Sequence, residues 1–191
     1  MGYEIAAAFQ RRGFRVLLIS GPSSLAVPDG VDFLPVETAA EMHRAVEQSI
    51  GHMDIAVFAA AVADYTPKSP STRKIKKHGD ELVLELVRTA DCLGSAREPF
   101  GFLGTLVGFA AETENLEAHA REKLERKRCD LVLANDVSKP GIGFESEQNE
   151  ILLVYPEHSI PLPRDTKQHL AMHLAEAIHD LHLSLHQTNH P

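Results

Sequence analysis

Residues 105–136 read TLVGFAAETENLEAHAREKLERKRCDLVLAND. TLVGFAAE (105–112) is apolar almost throughout, the pattern of a strand covered on both faces. ENLEAHAREKLERK (114–127) is dense in strong helix formers and reads as a helix. DLVLAND (130–136) is a second apolar strand. The alternation continues outward. Upstream, residues 3–12 have helical periodicity with Gly13 as a stop, FRVLLIS (14–20) is a continuous apolar strand, and VDFLPV (31–36) is a shorter one. Thr38 and Glu41 make a capping box for a helix that Gly51 ends, and DIAVFAA (54–60) is another buried strand. KIKK and LVLELVR (82–88) flank HGDE as a hairpin, and a short helix covers 90–97. Downstream, EILLVYP (150–156) and SIPLP form a late antiparallel pair. A last helix runs from about Asp165 to His186, with Leu170, Leu174, Ile178, Leu181 and Leu185 as its buried stripe.

This alternation predicts an α/β fold: a three-layer, Rossmann-like sandwich with a mainly parallel sheet and a late antiparallel extension. The expected unit is one domain over 1–191, with 185–191 a frayed tail. A doubly wound domain ordinarily starts with a strand and a phosphate-facing loop. This chain opens on a helix, so its first strand and Gly-rich loop are expected to be missing.

Composition narrows the function. The net charge is −8, which argues against general nucleic-acid binding and makes any basic cluster a local pocket. Two cysteines without zinc or CxxC spacing suit a reducing cytoplasm. No apolar run is long enough for a membrane span, and MGYEIAAAFQRR lacks a signal peptide's layout.

In such sheets ligands bind beyond the carboxyl ends of the strands, which directs attention to the residues after AVFAA, LVGFAAE and LVLAND. The small residues Ala59–Val62 leave backbone open to a flat ligand, and Asp64 could hold a metal ion or a ribose hydroxyl; taken alone, the stretch reads more simply as tight strand–helix packing with Asp64 capping a turn. Arg73, Lys74, Lys76 and Lys77 could neutralise phosphates, or protect an edge strand. Lys123 and Lys127 share a helix face and could reach a polyphosphate, or stay solvated. Asn135 and Asp136 end a strand before a loop whose Gly141 and Gly143 would let it close over a ligand. Five histidines (169, 173, 179, 182 and 186) flank the last helix, where any metal binding would be incidental. There is no Ser/His/Asp grouping, Walker loop or GxGxxG after a strand, which counts against an NAD-dependent oxidoreductase.

In this order, AAAVADY, KIKK, GDELVLELV, VGFAAET, LVLANDVS and GIGF resemble the bacterial phosphopantothenate–cysteine ligases, also called phosphopantothenoylcysteine synthetases. These normally form the C-terminal half of a bifunctional coenzyme A biosynthesis flavoprotein. GPSSLAVPDGV (21–31) also resembles a stretch of that family. The resemblance implies a ligase that joins 4′-phosphopantothenate to L-cysteine, using CTP and Mg²⁺ through an acyl-cytidylate. It implies that Phe58, Ala59 and Ala60 present backbone to CTP, and that Asp64 lies near nucleotide and Mg²⁺. Lys74 would serve CTP and the conversion of the acyl-cytidylate, Phe109 would touch the nucleotide, and Lys123 and Lys127 would bind the triphosphate. Ala90, Asp91, Cys92 and Leu93 stand where the family has PDIL or PDIV, so Ala90 and Cys92 depart from it. Asn135 and Asp136 match its AND motif, and Gly141, Gly143 and Phe144 its substrate lid.

The family's first strand, its Gly-rich loop and an asparagine linked to the acyl-cytidylate would lie ahead of Met1. No FMN is expected, because the flavin-binding decarboxylase half is absent; a separate decarboxylase is a possible partner. The family implies a homodimer. The alternative is a truncated, inactive remnant that binds nucleotide or a partner subunit.

Overall fold

A computed structural model describes residues 1–71, 73–76, 81–138 and 146–186. Helix α1 (Gly2–Arg11) ends before Gly13, whose φ of 87° lies in the left-handed region that glycine tolerates best. Strands β1 (Leu17–Ser20) and β2 (Asp32–Pro35) pair in parallel. The capping box of α2 (Ala39–Ile50) forms as expected: Thr38 Oγ1 accepts from the Glu41 N–H at 3.1 Å, and Glu41 Oε2 accepts from the Thr38 N–H at 3.0 Å. Then come β3 (Ile55–Phe58), β4 (Tyr65–Pro67), β5 (Leu86–Arg88), α3 (Cys92–Arg97), β6 (Thr105–Glu112), α4 (Leu116–Lys127) and β7 (Leu131–Asp136). β8 (Gln148–Val154), β9 (Ser159–Thr166) and α5 (Lys167–His186) complete the series.

The main sheet has the order β3-β6-β7-β8-β9. β3, β6 and β7 are parallel, and β8 and β9 form the expected antiparallel extension. Successive residues of β6 and β7 serve opposite cores. Leu106, Ala110, Val132 and Ala134 pack with Met42 and Val46 of α2 and Leu93 of α3. Val107, Leu131 and Leu133 pack with Ile5 and Phe9 of α1 and Leu170, Leu174 and Ile178 of α5. Both faces are covered, which is why these strands read as continuous apolar runs.

One polar latch fixes the entry to β6 and β7. Asp130 donates its N–H to the Leu106 carbonyl (2.9 Å), and its carboxylate accepts from the Leu106 N–H (2.7 Å) and from Arg97 Nη2 (2.7 Å). Arg97 also donates to the carbonyls of Phe102 and Gly104, which ties α3 to the loop before β6.

Three expectations need correction. LVLELVR does not pair with KIKK: β5 pairs antiparallel with β4, Tyr65 opposite Arg88 and Pro67 opposite Leu86, and Arg73–Lys76 lie outside any strand. The more distant YTP segment outcompetes the local partner, so the lysines protect no edge strand there. His78–Asp80 of HGDE, with Lys77, lie outside the described residues. FRVLLIS and DIAVFAA, expected to be buried, are only half-buried in β1 and β3, and β2 is exposed. Leu185 of the α5 stripe is 41% exposed, because the helix by then has run past the sheet. Leu185 and His186 are helical, and the rest of the expected tail, 187–191, is outside the description. No helix among the described residues is long and apolar enough to cross a membrane.

Candidate active site

A cavity of about 1490 Å³ lies against the carboxyl ends of β3 and β6 and extends back between β3 and β1. Its walls gather Phe58, Ala59, Ala60 and Asp64 after β3, Phe109 of β6, the segment Ala90–Leu93, and Lys123 and Lys127 of α4. These residues are distant in sequence, and the parallel connections return each to the same edge of the sheet.

Local causes can be traced. Gly108 lets α3 close on β6: a Cβ there would lie 3.0 Å from Leu93 Cδ2 and 3.3 Å from Cys129 Sγ. Cys92 and Leu93 are therefore buried in the core while bordering the cavity. Asp91 is the N-cap of α3, its Oδ1 accepting from the Gly94 N–H at 2.8 Å. Its Oδ2 takes a hydrogen bond from Lys127 Nζ across the cavity wall. Burial opposes the charge on Asp91, but the bonds from Lys127 and Gly94 outweigh it and hold the carboxyl below its ordinary value.

Lys123 contrasts with Lys127. It makes no salt bridge among the described residues, and burial draws its ammonium below the ordinary lysine value. An anion arriving here would give Lys123 a salt-bridge partner and would compete with Asp91 for Lys127. Arg126 and Arg88 line the same cavity. Sequence reading missed both, although Arg126 stands three residues after Lys123, a spacing that shares a helix face.

The other candidates lie apart. Lys74 is exposed in the segment between β4 and β5 and is not on the cavity wall. Asn135 is buried at the end of β7, and Asp136 Oδ1 accepts from the Ser138 N–H and hydroxyl; neither residue lines the cavity. Gly141, Gly143 and Phe144 lie outside the described residues. Among the described residues no three His, Cys, Asp or Glu side chains cluster to hold a metal ion. The α5 histidines take other work, His182 Nδ1 lying 2.9 Å from the buried Thr105 hydroxyl.

Known proteins share this fold. Residues 1–181 match the family model described as "DNA/pantothenate metabolism flavoprotein C-terminal domain". The chain is 40% identical over 183 residues to the coenzyme A biosynthesis bifunctional protein CoaBC of Vibrio vulnificus (strain YJ016), covering 95% of this chain and 46% of that protein. The chain thus spans about half the length of the curated relatives it matches. A crystal structure of the C-terminal domain of CoaBC superposes with a TM-score of 0.78 at 33% identity, over 94% of this chain and 81% of that one. A Cab2 variant in complex with phosphopantothenate-cysteine shares the fold at a TM-score of 0.78 and 17% identity, over 96% of this chain and 77% of that one.

Proposed function

The chain belongs to the family of DNA/pantothenate metabolism flavoprotein C-terminal domains, and on that premise we propose that it joins 4′-phosphopantothenate to L-cysteine at the expense of CTP. The observation that carries this reading is the convergence of Lys123, Arg126 and Lys127 on the cavity that Phe58–Ala60, Asp64 and Phe109 also line.

In the proposed reaction the phosphopantothenate carboxylate attacks the α-phosphorus of CTP, the bond to the β-phosphate breaks, and pyrophosphate leaves. The cysteine amine then attacks the acyl-cytidylate carbonyl, CMP departs, and the amine proton passes to solvent. No nucleophilic side chain is required; two anions must be held together and the leaving pyrophosphate stabilised. Lys123 and Lys127 serve the triphosphate, with Arg126 beside them. The open backbone at Ala59 and Ala60 accepts the flat nucleotide, and Phe109 and the Ala90–Leu93 segment bound it. Lys74 is assigned to the acyl-cytidylate, reaching it from the segment between β4 and β5. Asn135, Asp136 and the Gly141, Gly143 and Phe144 segment are assigned to the substrate and its cover.

Magnesium binds through one or two carboxylates together with substrate phosphates. Asp64, an exposed carboxylate on the cavity wall, fits that mode, and the ion would neutralise phosphate charge there. No FMN enters this scheme. The exposed Leu82, Val83, Leu84, Leu86 and Val87 around β5 support assembly as a homodimer, and a separate decarboxylase would supply the flavin chemistry.

The test is direct. The chain, incubated with 4′-phosphopantothenate, CTP, Mg²⁺ and L-cysteine, should release CMP and pyrophosphate in equal amounts. Binding of CTP without either product would instead support the inactive remnant.

A further inference from the structure

The histidines of α5 do not share one environment. His169 Nδ1 faces the Asp165 carboxylate at 3.4 Å. His179 packs its ring edge-on against Phe14, with centroids 5.0 Å apart. His182 and His186 instead converge on each other: their ring centroids are 4.5 Å apart and their planes meet at 41°. They stand four residues apart, so one turn of helix places them on the same face. Two imidazoles that share one ion at about 2.0–2.1 Å have centroids roughly 4.5–5 Å apart. The pair therefore needs little movement to meet an ion.

The surroundings of His182 prepare it as a ligand. Its Nδ1 lies 2.9 Å from the Thr105 hydroxyl, and Thr105 has no exposed surface. The Thr105 N–H donates in turn to the Asp54 carbonyl at 2.9 Å. A ring anchored through Nδ1 to a buried group keeps its orientation and leaves Nε2 for a ligand. Metal-bound histidines are fixed in this way, through the nitrogen that does not touch the ion. The Asp54 carboxylate lies near enough to favour positive charge at His182, and the last turn of a helix also favours a cation. Thr105 starts β6, four residues ahead of Phe109. This position is therefore about 13 Å along the strand from the end where the nucleotide is proposed to bind.

We propose that His182 and His186 form a two-histidine site for a late first-row divalent metal ion such as Zn²⁺, bound through Nε2 of both rings with water completing its coordination. Imidazole suits this class of ion, whereas Mg²⁺ takes oxygen ligands, so the site is distinct in chemistry as well as place from the one proposed at Asp64. Among the described residues no group of three His, Cys, Asp or Glu side chains forms, so this is not a closed structural zinc site. The ion is a clip on the last turn of α5, which Thr105 ties to β6.

The proposal does not rest on the ligase reading, and its test uses no substrate. The full chain is titrated with ZnCl₂ by isothermal calorimetry, and proton–nitrogen NMR correlation of the imidazoles reports which ring nitrogens bind. The expected result is a single ion per chain that shifts Nε2 of His182 and His186 and is removed by EDTA. His186→Gln, at an exposed position, should weaken binding about tenfold or more without unfolding the chain, and His182→Gln should do the same. Thr105→Val should weaken it by about tenfold, through the lost anchor of the His182 ring. The double variant His169→Gln, His173→Gln is the control and should bind as wild type does. Unchanged affinity in folded His186→Gln, or an equal loss in the control, would overturn the proposal and show adventitious binding by surface histidines. Unchanged affinity in Thr105→Val would overturn the part given to Thr105.

Discussion

Replacing Asp130 with alanine should cost about 2–4 kcal/mol of folding stability, and the structure divides that sum. The Asp130 carboxylate takes the N–H of Leu106, a residue with no exposed surface, at 2.7 Å. Leaving a buried amide unpaired costs about 1–3 kcal/mol. The same oxygen takes Arg97 Nη2 at 2.7 Å, with the side chains 19% and 24% exposed. A charge-assisted bond is worth about 1.5–3 kcal/mol, and partial exposure together with the carbonyls that Arg97 keeps argues for the low end. Asp130→Asn is the informative partner, because its side-chain oxygen can still accept from Leu106 while the charge is lost; about 1–1.5 kcal/mol is expected. Urea denaturation of the three proteins, with unchanged m-values, measures both differences. If alanine costs under about 1 kcal/mol, or asparagine costs as much as alanine, then the Leu106 amide does not depend on Asp130 and the latch is not what fixes β6 against β7.

Other outcomes rest on the same geometry. Lys123→Met should raise the melting temperature slightly, since it removes a desolvated cation without a salt bridge, yet raise the KM for CTP roughly 10- to 100-fold through one lost charge-assisted contact; thermal scans and pyrophosphate release read the two effects separately. Asp91→Ala removes both the α3 cap and the partner of Lys127, and should cost about 1 kcal/mol. The folded Asp91 carboxyl sits below its ordinary 3.8, so its contribution is full above that pH and fades as pH falls through the lower folded value; stability curves of wild type and variant should therefore converge in acid. Burial pushes the Cys129 thiol up to about 12 and raises Cys92 as well, so neither should react with a disulfide reagent at about pH 8 until the chain is unfolded.

Much of this is legible in one dimension. The strand–helix–strand of 105–136 and the capping box at Thr38 depend on neighbours a few residues apart, and local periodicity and side-chain chemistry specify them. The residues that line the cavity can be proposed from motif order, because a parallel sheet returns each strand's end to one edge. Arg126 is equally visible by spacing, although its two lysines draw the eye first. Pairing is less legible. LVLELVR contains nothing that says YTP is its partner and KIKK is not, and the Asp91–Lys127 contact joins positions 36 residues apart that no spacing rule connects.

The amino-acid order determines which segments are strands and helices, which faces are apolar and which chemical groups are available, since these come from covalent neighbours and a repeat of two or 3.6 residues. Tertiary structure decides partners. It leaves Lys123 without a salt bridge among the described residues while Lys127 is held by Asp91, and folds the Leu106 amide onto the Asp130 carboxylate. Those outcomes depend on which surfaces meet once the chain has closed on itself, and burial and hydrogen bonding set their energies only at that point.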